Sequence, residues 1–354
     1  MPRVAAIDCG TNSIRLLVAD VTVREDGSQW LRDVHREMRV NRLGQGVDAT
    51  RRLAPESLAR TREALYAYGE MLRRTSTTTV RLCATSATRD AENRDEFFGM
   101  VREILGVEAE VITGEEEARL SFAGAVADLD PDEGPFVVAD VGGGSSELVT
   151  GTWDAVTADV AAAFSSNVGC VRLAEKFLHD DPPTDAQVRE AEDFTRATLA
   201  AAFEAVDVEQ AQTWVAVAGT ATTIAAVAME LRTYDAERIH LARLGLDDVR
   251  ATCRRLEAMP RDERAALGPM HPGRVDVIGA GALVVRVLAD ELAERAGITE
   301  LVISEHDILD GIARESALGL SGRDGRSGRD GRSGRGATTP DPGSESDPDA
   351  DPEA

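Results

Sequence analysis

The chain contains 354 residues with a formal net charge of −24 at pH 7, and an acidic balance of this size argues against a broad nucleic-acid-binding face. This length predicts about two domains, and 43% hydrophobic residues with only 4% aromatics predict cores of Ala, Val, Leu and Ile. The four cysteines form no C-x-x-C pair, no signal peptide precedes the first strand, and no apolar run reaches the roughly 18–20 residues of a membrane span, so a reducing cytoplasmic location is predicted.

The first half of the chain alternates predicted strands and helices, which is typical of the α/β class. It opens with the strand VAAID, the loop CGTNS and the strand IRLLVADVTV, and a helix is predicted from Pro55 to Arg74. The strand TVRLCAT, a helix from about Asn93 to Leu105 and the strand EAEVIT follow. Thr113 and Glu116 then form a capping-box pattern, which predicts the start of the helix EEEARLSFAGAVADL.

The second half begins after the turn DPDEGP and contains a glycine-rich hairpin, VVADVGGGSSELV, followed by further strands and helices. The predicted division is an N-terminal domain over residues 1–127 and a C-terminal domain over residues 128–319. From residue 320 to 354 the chain is Gly/Ser/Arg-rich and then acidic with prolines, and SGRDGR occurs twice in tandem. This composition buries too little apolar surface to fold alone and predicts a disordered tail.

The two hairpin segments VAAIDCGTNSIRLLV and VVADVGGGSSELV resemble each other at the spacing of about one domain. The similarity predicts a duplicated fold whose two loops face each other across a cleft. The aligned pairs are Asp8 with Asp140, Gly10 with Gly142, Ser13 with Ser145, and Leu16 with Leu148.

The glycine loops indicate an anion site, because successive backbone N–H groups without side chains bind phosphate and serine hydroxyls add donors. The aspartate that opens each loop, Asp8 or Asp140, makes sense if it reaches a hydrated Mg²⁺ bridging to phosphate, and Glu147 could join it. The alternative for each loop is a tight hairpin with solvated acids.

A candidate general base is Glu117, in the first turns of the predicted helix, where the helix dipole favours the ionised form. At helical spacing it shares a face with Leu120, Ser121 and Gly124. Spacing alone favours the alternative that Glu117 belongs to a solvated acidic first turn.

Arginine is the candidate ligand for an incoming phosphate, since its guanidinium can clamp phosphate oxygens in pairs. Arg89, in ATSATRDAEN, is the first choice, and Arg172 and Arg274 are similar candidates. The only lysine, Lys176, has no glycine near it, which excludes a Walker A nucleotide loop.

Taken together, these motifs resemble the exopolyphosphatase/guanosine pentaphosphatase (Ppx/GppA) family, and they cover about residues 3 to 316 in family order. The resemblance implies a duplicated ribonuclease-H-like α/β fold of the actin, hexokinase and heat-shock ATPase type, with two domains and a cleft between them. The matching segments are AAIDCGTNSIRLLV, ATSATRDAENRDEF, VITGEEEARLSFAG, ADVGGGSSELV, SNVGCVRL, AGTATTIAA and RVDVIGAGAL.

The resemblance also implies an activity, namely removal of the terminal phosphate of inorganic polyphosphate or of the 5′ γ-phosphate of pppGpp. It implies that Glu117 is the catalytic base, that Glu147 is a second functional carboxylate, and that Mg²⁺ is associated with the second loop. The metal ligands predicted from the loops and the resemblance are Asp140, Asp8 and Glu147. The phosphate-binding residues predicted from the loops and the resemblance are Gly10, Thr11, Asn12, Ser13, Arg89, Gly142, Gly143, Gly144, Ser145 and Ser146.

Two departures from the family pattern are visible. Longer relatives carry a further helical domain of HD type, whereas the pairs His179-Asp180 and His306-Asp307 lack the surrounding histidines of such a metal site. Only Gly219-Thr220 stands where a Gly-Gly pair would favour adenosine. The predicted protein is therefore a short, two-domain Mg²⁺-dependent exopolyphosphatase, with a pppGpp hydrolase, a kinase of the same fold and a non-hydrolytic sensor as alternatives. A homodimer is a reasonable expectation.

Overall fold

A computed structural model describes residues 2–327 of the chain. Its first sheet has three antiparallel strands extended by two strands parallel to the first, in the order third, second, first, fourth, fifth. The strands are β1 (Arg3–Cys9), β2 (Ser13–Val23), β3 (Gln29–Val40), β4 (Thr79–Ala84) and β5 (Ala109–Val111). The helices of this part are α1 (Val47–Thr50), α2 (Pro55–Arg74), α3 (Ser86–Asp90), α4 (Arg94–Leu105) and α5 (Gly114–Ala125).

The second sheet has six strands, which are β6 (Phe136–Val141), β7 (Ser146–Trp153), β8 (Ala158–Ser166), β9 (Thr213–Val217), β10 (Arg243–Gly245) and β11 (Glu300–Ile303). Their order is β10-β11-β9-β6-β7-β8. A 3₁₀ turn, Pro131–Glu133, precedes β6. The helices are α6 (Cys170–Phe177), α7 (Asp185–Ala205), α8 (Ala218–Ala228), α9 (Ala236–Ile239), α10 (Leu246–Ala258), α11 (Arg261–Ala265), α12 (Ile278–Ala296) and α13 (Ile308–Ser327).

The predicted duplication is confirmed by the strand order, because β8-β7-β6-β9-β11 repeats β3-β2-β1-β4-β5 with the same directions. The loops also close identically. The Gly10 amide donates to the Ser13 carbonyl at 3.0 Å, and the Gly142 amide donates to the Ser145 carbonyl at 3.0 Å. The chain therefore has the duplicated ribonuclease-H-like α/β fold, and α2 begins and ends where the sequence predicted.

Helix α5 lies between the two sheets. Its start is fixed by Thr113, whose hydroxyl accepts the Glu116 amide at 3.1 Å, as the capping pattern predicted. Ala118 and Phe122 pack against the second sheet, whereas Leu120 packs in the core of the first sheet. A helix with apolar residues on both sides can be held by both halves at once, and this places its first turn at their junction.

The final helix packs on the first sheet of the protein. Residues up to 319 were assigned to the C-terminal domain, but α13 packs on the first sheet, because Ile308, Ile312 and Ala313 share one helix face and cover Val4 and Leu17. The helix runs to Ser327, so residues 320–327 of the predicted tail are helical in the structure. The remainder of that tail, 328–354, lies outside the described residues. The boundary near residue 127 stays a prediction.

No helix among residues 2–327 combines the length and the apolar character that a membrane crossing requires. The cores are aliphatic, as the composition predicted. The largest surrounds α12, in which Gly281, Ala282 and the two following turns are buried.

Candidate active site

The two glycine loops meet directly. A Cβ added at Gly143 would lie 2.9 Å from the Cβ of Thr11, and one at Gly144 would lie 2.7 Å from the Ser86 hydroxyl. Because real Cβ atoms do not approach this closely, these glycines are needed for the contact between the loops as well as for exposing amides. The sequence predicted the second reason and not the first.

The backbone carbonyls of the three glycines in the second loop all accept hydrogen bonds from α6. The Gly142 and Gly143 carbonyls accept amides from the first turn of α6, and the Gly144 carbonyl accepts the Arg172 guanidinium at 2.8 Å. Among residues 2–327, only the Gly142 amide of this glycine run donates to another protein group. The amides of Gly143 and Gly144 therefore have no acceptor among these residues and are available to an anion.

A cavity of about 100 Å³ lies between the loops. It brings together most of the predicted residues, namely Asp8, Gly10, Thr11, Asn12, Ser13, Glu117, Asp140, Gly142, Gly143, Gly144 and Ser145. Arg274, one of the secondary arginine candidates, also lines it. The predicted residues Arg89, Ser146 and Glu147 do not line this cavity.

Ser146 and Arg172 do not line the cavity between the loops and form structural contacts instead. The Ser146 hydroxyl is buried and donates to the Val168 carbonyl at 2.6 Å, which explains why it does not face a ligand. Arg172 joins the second loop to the first half of the chain, since it also forms ion pairs with Asp48 and Asp90. Both residues fix the conformation of the second loop from outside the cavity.

Glu117 is buried at the first turn of α5 with 9% of its surface exposed. Its Oε2 accepts the Arg89 guanidinium at 2.8 Å, and the same Nη1 atom of Arg89 donates to the Ile112 carbonyl at 2.9 Å. Arg89 therefore contacts the candidate base, whereas the sequence predicted that it binds phosphate. Burial raises the pKa of the Glu117 carboxyl to about 7, and the Arg89 charge opposes that rise.

Asp140 and Glu147 form a second group of carboxylates close to Glu117. They are directly opposite each other on β6 and β7, so their side chains share one face of the sheet. Asp140 accepts the Ser121 hydroxyl at 2.6 Å, and Glu147 accepts the Ser165 hydroxyl at 2.7 Å. Burial raises the pKa of Asp140 to about 6. Burial, followed by the charges of Glu117 and Asp140, raises the pKa of Glu147.

The first hairpin carries a different pair at the equivalent positions. Asp8 lies opposite Arg15, and the Arg15 guanidinium donates to Asp8 Oδ2 at 2.7 Å. Arg15 also forms an ion pair with the buried Asp307, just before α13. Burial raises the pKa of Asp8, and the Arg15 charge opposes that rise. One Asp8 oxygen is thus already neutralised by a cation, unlike the carboxylates of the second hairpin.

The sequence interpretation missed Arg15 and Asp307. Arg15 had a visible signal, because it occupies the aligned position of Glu147 in the duplicated motif. Asp307 had none, since only the return of the chain into α13 brings it to the site.

The donor set fits Mg²⁺. Asp140 and Glu147 are at most 7% exposed, and their hydrogen-bonding side-chain partners are serines, namely Ser121 for Asp140 and Ser165 and Ser145 for Glu147. Two neighbouring buried carboxylates, each with a raised pKa, offer the hard oxygen ligands that this ion takes. Asp8 can add an oxygen only through the atom that Arg15 leaves free.

Comparison with known proteins shows the family of the chain. The model of the Ppx/GppA phosphatase family matches residues 21–316, which include Glu117 and the second loop. Exopolyphosphatase 2 of Mycobacterium tuberculosis (strain H37Rv) is 55% identical over 318 residues, covering 88% of this chain and 98% of that protein. A bifunctional 3-dehydroquinate synthase/phosphatase of Fusobacterium nucleatum is 28% identical over 46% of its own length.

Solved structures give the same result. A crystal structure of an exopolyphosphatase-like protein is 43% identical with a TM-score of 0.85, covering 90% of this chain and 99% of its own. The crystal structure of the Aquifex aeolicus Ppx/GppA family member is 30% identical with a TM-score of 0.72, covering 90% and 98%. The chain belongs to the Ppx/GppA phosphatase family.

Proposed function

We propose that the protein is an exopolyphosphatase, which hydrolyses the terminal phosphoanhydride of inorganic polyphosphate and releases orthophosphate. The observation that carries the proposal is that Glu117 lines the same cavity as the two glycine loops. A base for water and a nest for phosphate are the two parts that phosphoanhydride hydrolysis needs. The relative named exopolyphosphatase, at 55% identity over nearly its whole length, supports the same substrate.

In this proposal the loops hold the terminal phosphates. Amides of Gly143 and Gly144, with the hydroxyls of Thr11, Ser13 and Ser145, donate to phosphate oxygens from both sides of the cleft. These donors are local, which explains how a chain of net charge −24 binds a polyanion. Positioning and fixed dipoles then supply most of the acceleration, as is general for phosphoryl transfer.

Glu117 orients a water molecule and takes its proton. A carboxyl with a pKa of about 7 is a stronger base than an ordinary glutamate, whose pKa is about 4.3, and is still partly ionised at neutral pH. Arg89 holds the carboxylate in place and stabilises its ionised form. We therefore propose Arg89 as a positioning residue for the base.

Asp140 and Glu147 would hold Mg²⁺, with Asp8 as a further oxygen donor. When bound there, the ion offsets negative charge on the phosphate oxygens during the reaction. Without a cation these buried carboxylates repel the substrate, so metal removal is expected to prevent both binding and turnover.

The test is a substrate panel. Purified full-length protein with Mg²⁺ is given short polyphosphate, long polyphosphate, pppGpp and ATP in parallel, and released orthophosphate is measured. Release from polyphosphate at the highest kcat/KM supports the proposal. ATP consumption that requires an added acceptor indicates a kinase, and polyphosphate binding without phosphate release indicates a sensor; either result rejects it.

A second candidate substrate, pppGpp, is favoured by a neighbouring cavity. A space of about 510 Å³ adjoins the phosphate cavity and shares Arg15, Gly219 and Arg274 with it. Apolar and aromatic side chains contribute to its lining, and these are Met38, Pro269, Met270, Pro272 and Tyr234. Such a lining can accommodate a nucleobase while the phosphates occupy the loops. The pppGpp arm of the panel measures this directly.

We also propose a cytoplasmic location and a homodimeric state for the protein. Cys9, Cys83, Cys170 and Cys253 are all buried and unpaired, which supports the reducing cytoplasm as the compartment. A homodimer rests only on the prevalence of such assemblies, and light scattering on the purified chain measures it.

A further inference from the structure

Three side chains of types that can bind metal ions come from distant parts of the sequence and meet outside the phosphate cavity. Asp128 follows α5, His240 ends the short helix α9, and His306 lies in the turn between β11 and α13. His306 Nδ1 is 2.5 Å from Asp128 Oδ2, and His240 Nε2 is 3.5 Å from the same oxygen. One ligand atom from each residue lies within 4.8 Å of the others.

We propose that Asp128, His240 and His306 bind a divalent transition-metal ion of the zinc class. Imidazole nitrogen with carboxylate oxygen is a ligand set typical of Zn²⁺, whereas the carboxylates of the cleft suit Mg²⁺. Three protein ligands leave a fourth position for water. The three side chains keep 23–39% of their surface exposed in a surface cavity, so an ion can reach them from solvent.

The backbone around the histidines is fixed before any ion binds. The His306 amide donates to the Ser304 hydroxyl at 3.1 Å, and that hydroxyl donates to the His306 carbonyl at 2.9 Å. The His240 amide donates to the Ala236 carbonyl at 2.9 Å. Ligands on a rigid backbone lose little conformational entropy on binding.

Ion binding has to replace existing contacts, because His306 Nδ1 and His240 Nε2 both lie within 3.5 Å of Asp128 Oδ2. The Glu305 amide donates to His240 Nδ1 at 3.2 Å, so the neutral ring carries its proton on Nε2, towards Asp128. Coordination through Nε2 moves that proton to Nδ1 and breaks the bond with Glu305. The contacts with Asp128 and Glu305 are exchanged for three metal–ligand bonds, so binding remains favourable.

An ion at this site would tie together three elements that support the cleft. Asp128 lies just beyond α5, whose first turn carries Glu117, and His306 precedes Asp307, the partner of Arg15. The ion would therefore link the end of α5 to the start of α13. Its expected effect is on stability, because none of its ligands lines the phosphate cavity.

The experiment is a titration of full-length, chelator-treated protein with Zn²⁺ in excess Mg²⁺, which keeps the cleft carboxylates occupied. Wild type, His306→Ala, His240→Gln and the control His179→Ala, an exposed histidine outside the cluster, are compared by calorimetry. Wild type and His179→Ala are expected to bind one equivalent of zinc, and the two cluster variants at least about tenfold more weakly. Retained phosphate release shows that each variant is folded.

Two further measurements read the ligands themselves. Co²⁺ added in place of zinc is expected to give visible absorption bands of low coordination number in wild type and not in His306→Ala. The backbone amide resonance of Glu305 is expected to shift on zinc addition, because its acceptor is lost. Equal zinc affinity in wild type and both cluster variants, or no zinc binding by wild type, overturns the proposal.

Discussion

At the scale of single residues, the acid and the arginine that sequence patterns placed in different roles form one unit. Glu117 and Arg89 are joined by a hydrogen bond of 2.8 Å, and the same guanidinium is anchored on the Ile112 carbonyl. A buried carboxylate without a cation would hold its proton too tightly to act at neutral pH. In this pair the Glu117 carboxylate has a raised pKa and is held in a fixed orientation by Arg89.

The pKa of Glu117 predicts the acid side of the pH–rate profile. The base acts only when ionised, and its pKa is raised to about 7, so kcat/KM for polyphosphate is expected to fall about tenfold per pH unit below about 7. With an ordinary glutamate as the base, kcat/KM would stay unchanged from neutral pH down to about pH 5. Initial rates between pH 5 and 9 test this, and a flat profile down to pH 5 would contradict it.

Replacing Arg89 separates a positioning role from a phosphate clamp. Arg89→Ala removes the charge that lowers the pKa of Glu117, so the acid limb is expected to move to higher pH, with kcat reduced about 10- to 100-fold. Arg89→Lys should restore part of kcat and of the limb position. The substrate's own titration is the same in all three proteins, so it cannot produce the shift. A raised KM with unchanged kcat and limb would instead identify a substrate clamp.

At the scale of elements, α5 is held where α13 crosses it. A Cβ at Gly124 would lie 1.9 Å from the Asp307 carbonyl oxygen, and one at Gly311 would lie 2.1 Å from the Leu120 carbonyl oxygen. Each glycine faces a backbone carbonyl of the opposite segment. The missing side chains allow the helix carrying Glu117 to pack closely on the segment carrying Asp307. The predicted domain limits place α13 in the C-terminal half, so the sequence interpretation did not anticipate this crossing.

Gly124→Ala is expected to destabilise the protein, because the contact is with backbone that has to move. Overpacking of this kind costs on the order of 1–3 kcal/mol of unfolding free energy. The matched control is Gly99→Ala on the exposed side of α4, where an added Cβ meets nothing within 4 Å and a gain of up to about 1 kcal/mol is expected. Urea unfolding measures both, and equal midpoints for the two variants would refute the close crossing.

What the sequence could predict follows from what is local. The loops and the helix start at Thr113 depend on short motifs, and the structure forms them as expected. The spacing around Glu117 favoured a solvated side chain, and only the family resemblance predicted its place in the site, where it is buried. The roles of Arg89 and Ser146 depend on which backbone carbonyl lies nearby, which no local pattern encodes. Arg15–Asp307 and the cluster of Asp128, His240 and His306 depend on the return of α13 across the first sheet.

At the scale of the whole molecule, the cleft concentrates negative charge in the interior. The pKa values of Asp140 and Glu117 are raised to about 6 and about 7 by burial, and the pKa of Glu147 is raised as well. These folded-state pKa values exceed the unfolded values of about 4, so the folded state binds more protons between pH 4 and 7. Their contribution to stability therefore decreases as pH rises through that window.

Bound Mg²⁺ is expected to restore the folding stability that is lost as pH rises. At pH 7.5 an ion on Asp140 and Glu147 is expected to raise the melting temperature, with about 2.7 kcal/mol of stabilisation at a hundredfold excess over Kd. At pH 5 protonation competes with the ion, so the increase should largely vanish. Thermal melts with and without Mg²⁺ at the two pH values measure the difference. An equal increase at both would place the ion away from these carboxylates.

The central claim is that Glu117 is the base that activates water between the two phosphate loops. The most direct measurement compares kcat for phosphate release from polyphosphate in wild type, Glu117→Gln and the control Glu115→Gln, which alters a neighbouring glutamate of the same first turn. We predict a fall of about 10²- to 10⁴-fold for Glu117→Gln with the melting temperature maintained, and near-wild-type turnover for Glu115→Gln. Turnover by Glu117→Gln within a few fold of wild type would contradict the account.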